Sequence, residues 1–174
     1  MKIAGISLAI VLALALQTTV ARFVVLGPVA VDLVLVVVVY VALSSGSVTG
    51  LATGTVAGLI QDSLSTGVVG TGVIGIGGLA KTIVGFVTGI VGTQLNIAEP
   101  VARFVVFFTA TVVHQAITIG LGAVLGLRPF GAPYVAVAGE ALGNAVVGVA
   151  AFQLVELLPG AVERRRTGRS RLRR

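Results

Sequence analysis

The stretch GSVTGLATGTVAGLIQDSLSTGVVGTG, residues 46 to 72, decides how the rest of the chain is interpreted. Glycine recurs at every fourth position of its first half: Gly46, Gly50, Gly54 and Gly58. The next step of this series is Asp62. Residues four apart lie nearly one above the other on an α-helix, so the glycines form one smooth stripe. In water each interior glycine costs about 1 kcal/mol relative to alanine, whereas in a bilayer small residues let two helices approach closely. The stretch therefore predicts a tightly packed membrane helix.

The composition indicates an integral membrane protein. Hydrophobic residues make up 56% of the 174 residues and charged residues only 10%, whereas soluble domains carry about 25% charged residues. The absence of cysteine excludes disulfides, thiolate catalysis and cysteine-based metal sites. The formal net charge is +6, but the positive excess lies in the tail, residues 164 to 174. Nucleic acid is therefore not an expected partner.

Six segments resemble membrane helices, for which about 20 apolar residues are needed to cross the hydrocarbon. They cover about residues 3–21, 29–43, 46–65, 72–95, 101–127 and 134–158. The sequence thus predicts an all-α polytopic membrane helix bundle of about six transmembrane helices over residues 1–160, followed by a basic tail, residues 161–174. Spans one and two carry no evident polar stripe and are expected to face lipid or a partner helix.

The basic residues predict the orientation of this bundle. An arginine-dense tail resists translocation, so the C-terminus is expected in the cytoplasm. An even number of spans then puts Lys2 on the same side and leaves Arg22 and Arg128 as the basic residues of the outer loops. Each basic residue near an anionic membrane surface contributes about 1 kcal/mol. Anionic lipid is therefore an expected partner of the tail.

Polar side chains inside the predicted spans form the candidate site. An intramembrane charge costs at least about 2.5–3.5 kcal/mol, so such residues are expected to face the bundle interior. At 1.5 Å per residue, Lys81, His114 and Glu140 share a central layer, whereas Asp62 lies nearer the outer surface. Lys81 is thus expected to pair with Glu140 in preference to Asp62. The predicted intramembrane polar network comprises Gln61, Asp62, Lys81, His114, Glu140 and Asn144.

Two interpretations of this network remain open. Paired charges can simply fix the registry of packed helices, or they can mark a proton or substrate pathway. A single histidine without cysteine or a second histidine does not predict a metal site. No Ser/His/Asp triad, paired-carboxylate site or P-loop is evident.

Two short runs resemble the MreD family of rod shape-determining proteins. The run GLIQDSLS, residues 58–65, has the G-L-x-Q-D pattern that ends a central helix in that family, and LAKTIVGF, residues 79–86, is similar to the family's next helix. Length and the number of spans agree over most of residues 1–160. Residue by residue, the resemblance covers Gly58, Gln61, Asp62, Gly67, Gly70, Lys81, Gly85 and Gly89.

The resemblance implies a non-enzymatic component of the bacterial cell-elongation machinery in the cytoplasmic (inner) membrane, with no catalytic residue and no cofactor. MreD proteins bind MreC, which has one membrane helix and a periplasmic domain. They act with MreB filaments, a RodA-type glycosyltransferase and a penicillin-binding transpeptidase in lateral peptidoglycan synthesis. Their bundle is similar to the substrate-binding S components of ECF transporters.

The glycine stripe is the expected contact surface in this interpretation, either between helices of the bundle or with the membrane helix of MreC. The residues expected there are Gly46, Gly50, Gly54, Gly58, Gly85 and Gly89. The alternative function is an S-component-like binder of a small molecule, or a proton-coupled carrier, that uses the central polar layer.

Overall fold

The computed structural model describes residues 3–23, 31–65, 75–94, 97, 99–126 and 134–157. Over these ranges it contains α-helices and no strand. The helices are α1 Ile3–Phe23, α2 Leu33–Ser45, α3 Ser47–Ser65, α4 Ile76–Gln94, α5 Pro100–Val124 and α6 Tyr134–Leu157. The predicted all-α class is confirmed for this part of the chain. Gly67, Gly70 and the basic tail lie outside the described residues.

Three helices, α4, α5 and α6, are long and apolar enough to cross a membrane. About six spans were expected, and the other three described helices differ from that expectation for different reasons. Helix α2 is apolar but has only 13 residues, about 20 Å at 1.5 Å per residue, against about 30 Å of hydrocarbon. The apolar part of α1 is also shorter than a full span. Helix α3 has 19 residues, but Gly, Ser and Thr are frequent in it.

The centre of the bundle is α2, which contacts all five other described helices. Its buried residues are Val34, Leu35, Val36, Val38, Val39, Val41 and Ala42. The expectation that span two faces lipid or a partner is therefore wrong. A helix that is apolar on every side is typical of a buried position, and α2 is almost entirely Val, Leu and Ala. By contrast, α1 exposes Leu8, Leu12 and Leu16, which are spaced by one helical turn.

Helices α3 and α4 pack backbone against backbone along the glycine stripe. A Cβ atom added to Gly54 would overlap the carbonyl group of Lys81, and one added to Gly50 would overlap that of Gly85. Gly58, Gly85 and Gly89 are equally close to the backbone of the facing helix. Small residues permit this approach. Because α4 already covers the stripe, the hypothesis that a partner helix docks on it is wrong.

Gly46 has a different role from the other glycines of the series. It lies between α2 and α3 with a φ of +91°, and a Cβ atom there would contact nothing within 4 Å. Its N–H donates to the carbonyl oxygen of Ala42 at 2.9 Å, which ends α2. Glycine adopts positive φ without the steric cost that other residues meet. Gly46 therefore makes the turn that brings α3 back against α2.

Helices α5 and α6 form the second half of the bundle. The ring of Phe107 lies directly against Gly148 of α6, and Phe107 belongs to the same buried cluster as Leu35 of α2. Near the end of α6, the guanidinium of Arg103 donates to both carboxylate oxygens of Glu156, at 2.7 and 3.2 Å. It also lies 4.5 Å from the centre of the Phe152 ring. These contacts join the beginning of α5 to the end of α6.

Candidate functional site

The candidate site is built around the first turn of α2, which begins at a buried aspartate. Asp32 caps the helix, its Oδ1 accepting the N–H of Leu35 at 3.0 Å. The N–H of Val34 donates to Oε1 of Gln17 in α1 at 3.2 Å. The N–H of Asp32 donates to Oδ1 of Asn144 in α6 at 2.9 Å. A buried N–H group without an acceptor is costly, and here side chains of two other helices supply acceptors.

A lysine neutralises the capping carboxylate. Nζ of Lys81 lies 2.7 Å from Oδ2 of Asp32 and 3.2 Å from Nε2 of His114. Nε2 of Gln61 donates to the other oxygen, Oδ1, at 3.3 Å. Lys81 is only 2% exposed and Asp32 7%. The charged groups of α2 and α4 therefore form a buried ion pair that side chains of α3 and α5 surround.

This pairing differs from the one expected from depth, in which Lys81 meets Glu140. The expectation compared depths only along the third to sixth spans and did not consider Asp32 as a partner of Lys81. In the structure, α2 begins level with Lys81, which is about 8 Å along α4. The carboxylate of Asp32 therefore reaches the ammonium at ion-pair distance. In the described residues Glu140 has no ion pair, and its Oε2 accepts a hydrogen bond from the side-chain amide of Gln115.

Asn144 connects the ion pair to the apolar core beneath it. Its Nδ2 donates to Oγ1 of Thr111 at 3.1 Å, and that hydroxyl donates to the carbonyl oxygen of Phe107 at 2.9 Å. Asn144 and Thr111 are each 1% exposed. Nδ1 of His114, which is also buried, has no hydrogen-bond partner in the described structure. The side chains of α5 and α6 therefore continue the polar cluster across the bundle.

The cluster has the composition of a cation site. One potential ligand atom each from Asp32, His114 and Glu140 lies within 4.8 Å of the other two. The ammonium of Lys81 already contacts Asp32 and His114. A metal ion at the same position would have to displace the ammonium group of Lys81, which is a side chain of α4. The arrangement is therefore that of a site filled by lysine.

Asp62 lies outside the cluster and accepts hydrogen bonds from backbone N–H groups at the start of α4. Its Oδ2 accepts the N–H of Gly75 at 2.9 Å and that of Gly78 at 3.0 Å. The neighbouring Gln61 points to Asp32 instead. Two adjacent polar residues of α3 therefore tie it to two different helices, with Gln61 bound to the beginning of α2 and Asp62 to the beginning of α4.

Replacing Asp62 by alanine should lower the free energy of unfolding by about 0.5–2 kcal/mol, the usual range for losing a helix cap. Two N–H groups at the start of α4 would lose their acceptor. Asp62→Asn keeps an oxygen at the same position and should lose less. Denaturant titration in mixed micelles measures both variants. Equal losses for the two would show that charge, and not the hydrogen bonds, is what matters there.

The structure brings most of the predicted polar residues together and separates one from them. Gln61, Lys81, His114 and Asn144 surround Asp32, and Glu140 lies beside them. Asp62 is apart, at the start of α4. Sequence reasoning did not include Asp32 in the network, although it is the only acidic residue among the first 60 and directly precedes an apolar run. That combination is a helix-start signal and could have identified it.

Comparisons with known proteins add no family to this description. The chain matches no family model, and no curated protein or solved structure is significantly similar to it. The resemblance to MreD proteins and the similarity to S components therefore stay predictions.

Proposed function

We propose that this chain is a non-enzymatic membrane scaffold of the MreD type, which binds and positions MreC in the bacterial cell-elongation complex. The proposal rests on the hydrogen bonds that the two polar residues of the G-L-x-Q-D motif make with neighbouring helices. Gln61 donates to Asp32, and Asp62 accepts from the first N–H groups of α4. The polar residues of the motif are therefore used to hold three helices together, as expected for a rigid platform.

The packing of the bundle supports the same proposal. The ammonium of Lys81 is neutralised within the chain by Asp32, and the glycines of α3 are in contact with the backbone of α4. Backbone contacts and paired charges favour a single fixed arrangement of α2, α3 and α4. A fixed arrangement suits a protein whose task is to orient a neighbour. The partner helix contacts the lipid-facing sides of the bundle, since α4 covers the glycine stripe.

We also propose how the chain is oriented in the membrane. All six helices lie in the bacterial cytoplasmic membrane in an arrangement similar to that of S components, and α2 is held inside by the other five. Both termini are cytoplasmic, and residues 161–174 contact anionic lipid. The wider complex includes MreB, a RodA-type glycosyltransferase and a penicillin-binding transpeptidase.

Co-purification tests the scaffold. An affinity-tagged chain, co-expressed with untagged MreC and extracted in mild detergent, should retain MreC on the affinity resin. The matched control is an MreC whose membrane helix is exchanged for an unrelated apolar helix, which should not be retained. If intact MreC failed to co-purify with a folded, monodisperse chain, the scaffold proposal would be wrong.

The second candidate function is a small-molecule binder or proton-coupled carrier, and one observation favours it. Helix α2 begins inside the bundle, and its first turn is surrounded by polar side chains of every other described helix. Transporters commonly build substrate sites at the ends of such short helices. Mass spectrometry of the denatured wild-type protein would support the carrier if it released a small molecule that Glu140→Gln lacks.

A further inference from the structure

The charges of the polar cluster do not sum to zero if every carboxyl group is ionised. Asp32 and Glu140 supply two carboxyl groups, and Lys81 supplies one ammonium group. Among the described residues, the remaining titratable group close to Glu140 is His114 on α5, and the uncharged Gln115 donates a hydrogen bond to Glu140. The net charge of the cluster therefore depends on which of these groups carries a proton.

The hydrogen bonds assign the protons of three groups. An ammonium has only donors, so Lys81 donates to Oδ2 of Asp32 and to Nε2 of His114. Nε2 therefore accepts and carries no proton, which makes the imidazole neutral with its proton on Nδ1. The carboxylate of Asp32 accepts from Leu35, Gln61 and Lys81, as an ionised group does. Asp32, Lys81 and His114 together are electrically neutral.

Glu140 is then the group without a counter-charge. Among the described residues, the ammonium near it is that of Lys81, which already contacts Asp32, and its hydrogen-bond donor is the neutral amide of Gln115. Oxygens of the two carboxyl groups come within 4.8 Å of each other. Two carboxyl groups this close together, one buried and one partly buried, are not both ionised without a second cation.

We propose that Glu140 binds one exchangeable proton, which serves as the second cation of this cluster. The reaction is a proton transfer: an O–H bond of a hydronium ion breaks, a carboxylate oxygen of Glu140 forms a new O–H bond, and a water molecule is released. Glu140 is only partly buried, whereas Asp32, Lys81 and His114 are buried. It lies about 9 Å from the start of α6. Of these four groups, Glu140 is therefore the one most open to exchange with the surroundings.

The proton links α6 to the central ion pair. Glu140 and Asn144 are one turn apart on α6, and Asn144 holds the N–H of Asp32. When Glu140 loses its proton, it repels the carboxylate of Asp32 and competes with it for Lys81. Deprotonation thus weakens the attachment of α6 to the first turn of α2. This site is independent of whether the chain binds MreC.

Infrared difference spectroscopy of the full chain in lipid nanodiscs tests the proposal. As the pH is raised from acidic to alkaline, the wild type should lose one absorption band of a partly buried, protonated carboxyl group. Glu140→Gln should remove that band at every pH. Glu99→Gln is the matched control, because Glu99 is an exposed carboxyl group in the same chain, and this variant should keep the band.

Several other results of these measurements would overturn the proposal. A band that persists in Glu140→Gln, or its absence from the wild type at every pH, would overturn the proposal. If Glu140→Gln does not fold, Glu140→Asp keeps a carboxyl group and should shift the band, and an unshifted band would also overturn it. Loss of the wild-type band on adding sodium or magnesium at constant pH would assign the position to a metal ion and overturn the assignment to a proton.

Discussion

Lys81→Met should lower the free energy of unfolding by about 3–5 kcal/mol, the largest effect expected of a single substitution in this chain. Methionine fills similar space but leaves the carboxylate of Asp32 buried, 7% exposed, without its cation. His114 loses the donor to its Nε2 in the same change. Denaturant titration in mixed micelles measures the loss.

A second substitution separates the uncompensated charge from the lost volume. Asp32→Asn combined with Lys81→Met removes the carboxylate, while asparagine still caps the first turn of α2. The double variant should therefore be more stable than Lys81→Met alone. If it were equally unstable, the loss would come from packing around the lysine stem, and the ion pair would not be what holds α2 to α4.

Gly54→Ala should destabilise the chain by about 1–3 kcal/mol, the usual cost of overpacking a well-packed core. The added methyl group would overlap the carbonyl group of Lys81, which belongs to the helix backbone and cannot move aside as a side chain would. Helices α3 and α4 would have to separate along their whole contact. The shift would also move the ammonium of Lys81 relative to Asp32.

Gly120→Ala is the matched control for this prediction. Gly120 is also a helical glycine, but it is exposed, and a Cβ atom there would contact nothing within 4 Å. Alanine is the better helix former, so this variant should be neutral or slightly stabilised. A similar loss for the two variants would mean that glycine matters for backbone freedom and not for the contact between α3 and α4.

The sequence predicts local structure well where one physical requirement dominates. The four-residue spacing of glycine predicted a close backbone contact, and Gly50, Gly54 and Gly58 all make it. The turn at Gly46 was not predicted, because Gly46 fits the same four-residue series and its spacing gives no sign of a positive φ. The apolar character of α2 could not distinguish a lipid-facing helix from a fully buried one, because both lack a polar side.

The partner of Lys81 could not be derived from depth alone. Counting residues along α4 and α6 gives the height of Lys81 and Glu140 but not where a short helix between them begins. Asp32 reaches Lys81 because α2 has only 13 residues and starts inside the bundle. Its Asn144 contact spans 112 residues of sequence. No local pattern encodes a pairing of that separation.

The long separation along the chain between Asp32 and its neighbours also sets the order in which their contacts can form during synthesis. Gln61 follows Asp32 by 29 residues and Asn144 by 112. At roughly 5–20 residues per second, Asn144 leaves the ribosome about 6–22 s after Asp32. The nascent second helix must be retained during that interval, since it is too short to cross a bilayer and begins with a charge. A chain that ends before Lys81 would therefore leave the carboxylate of Asp32 without its cation.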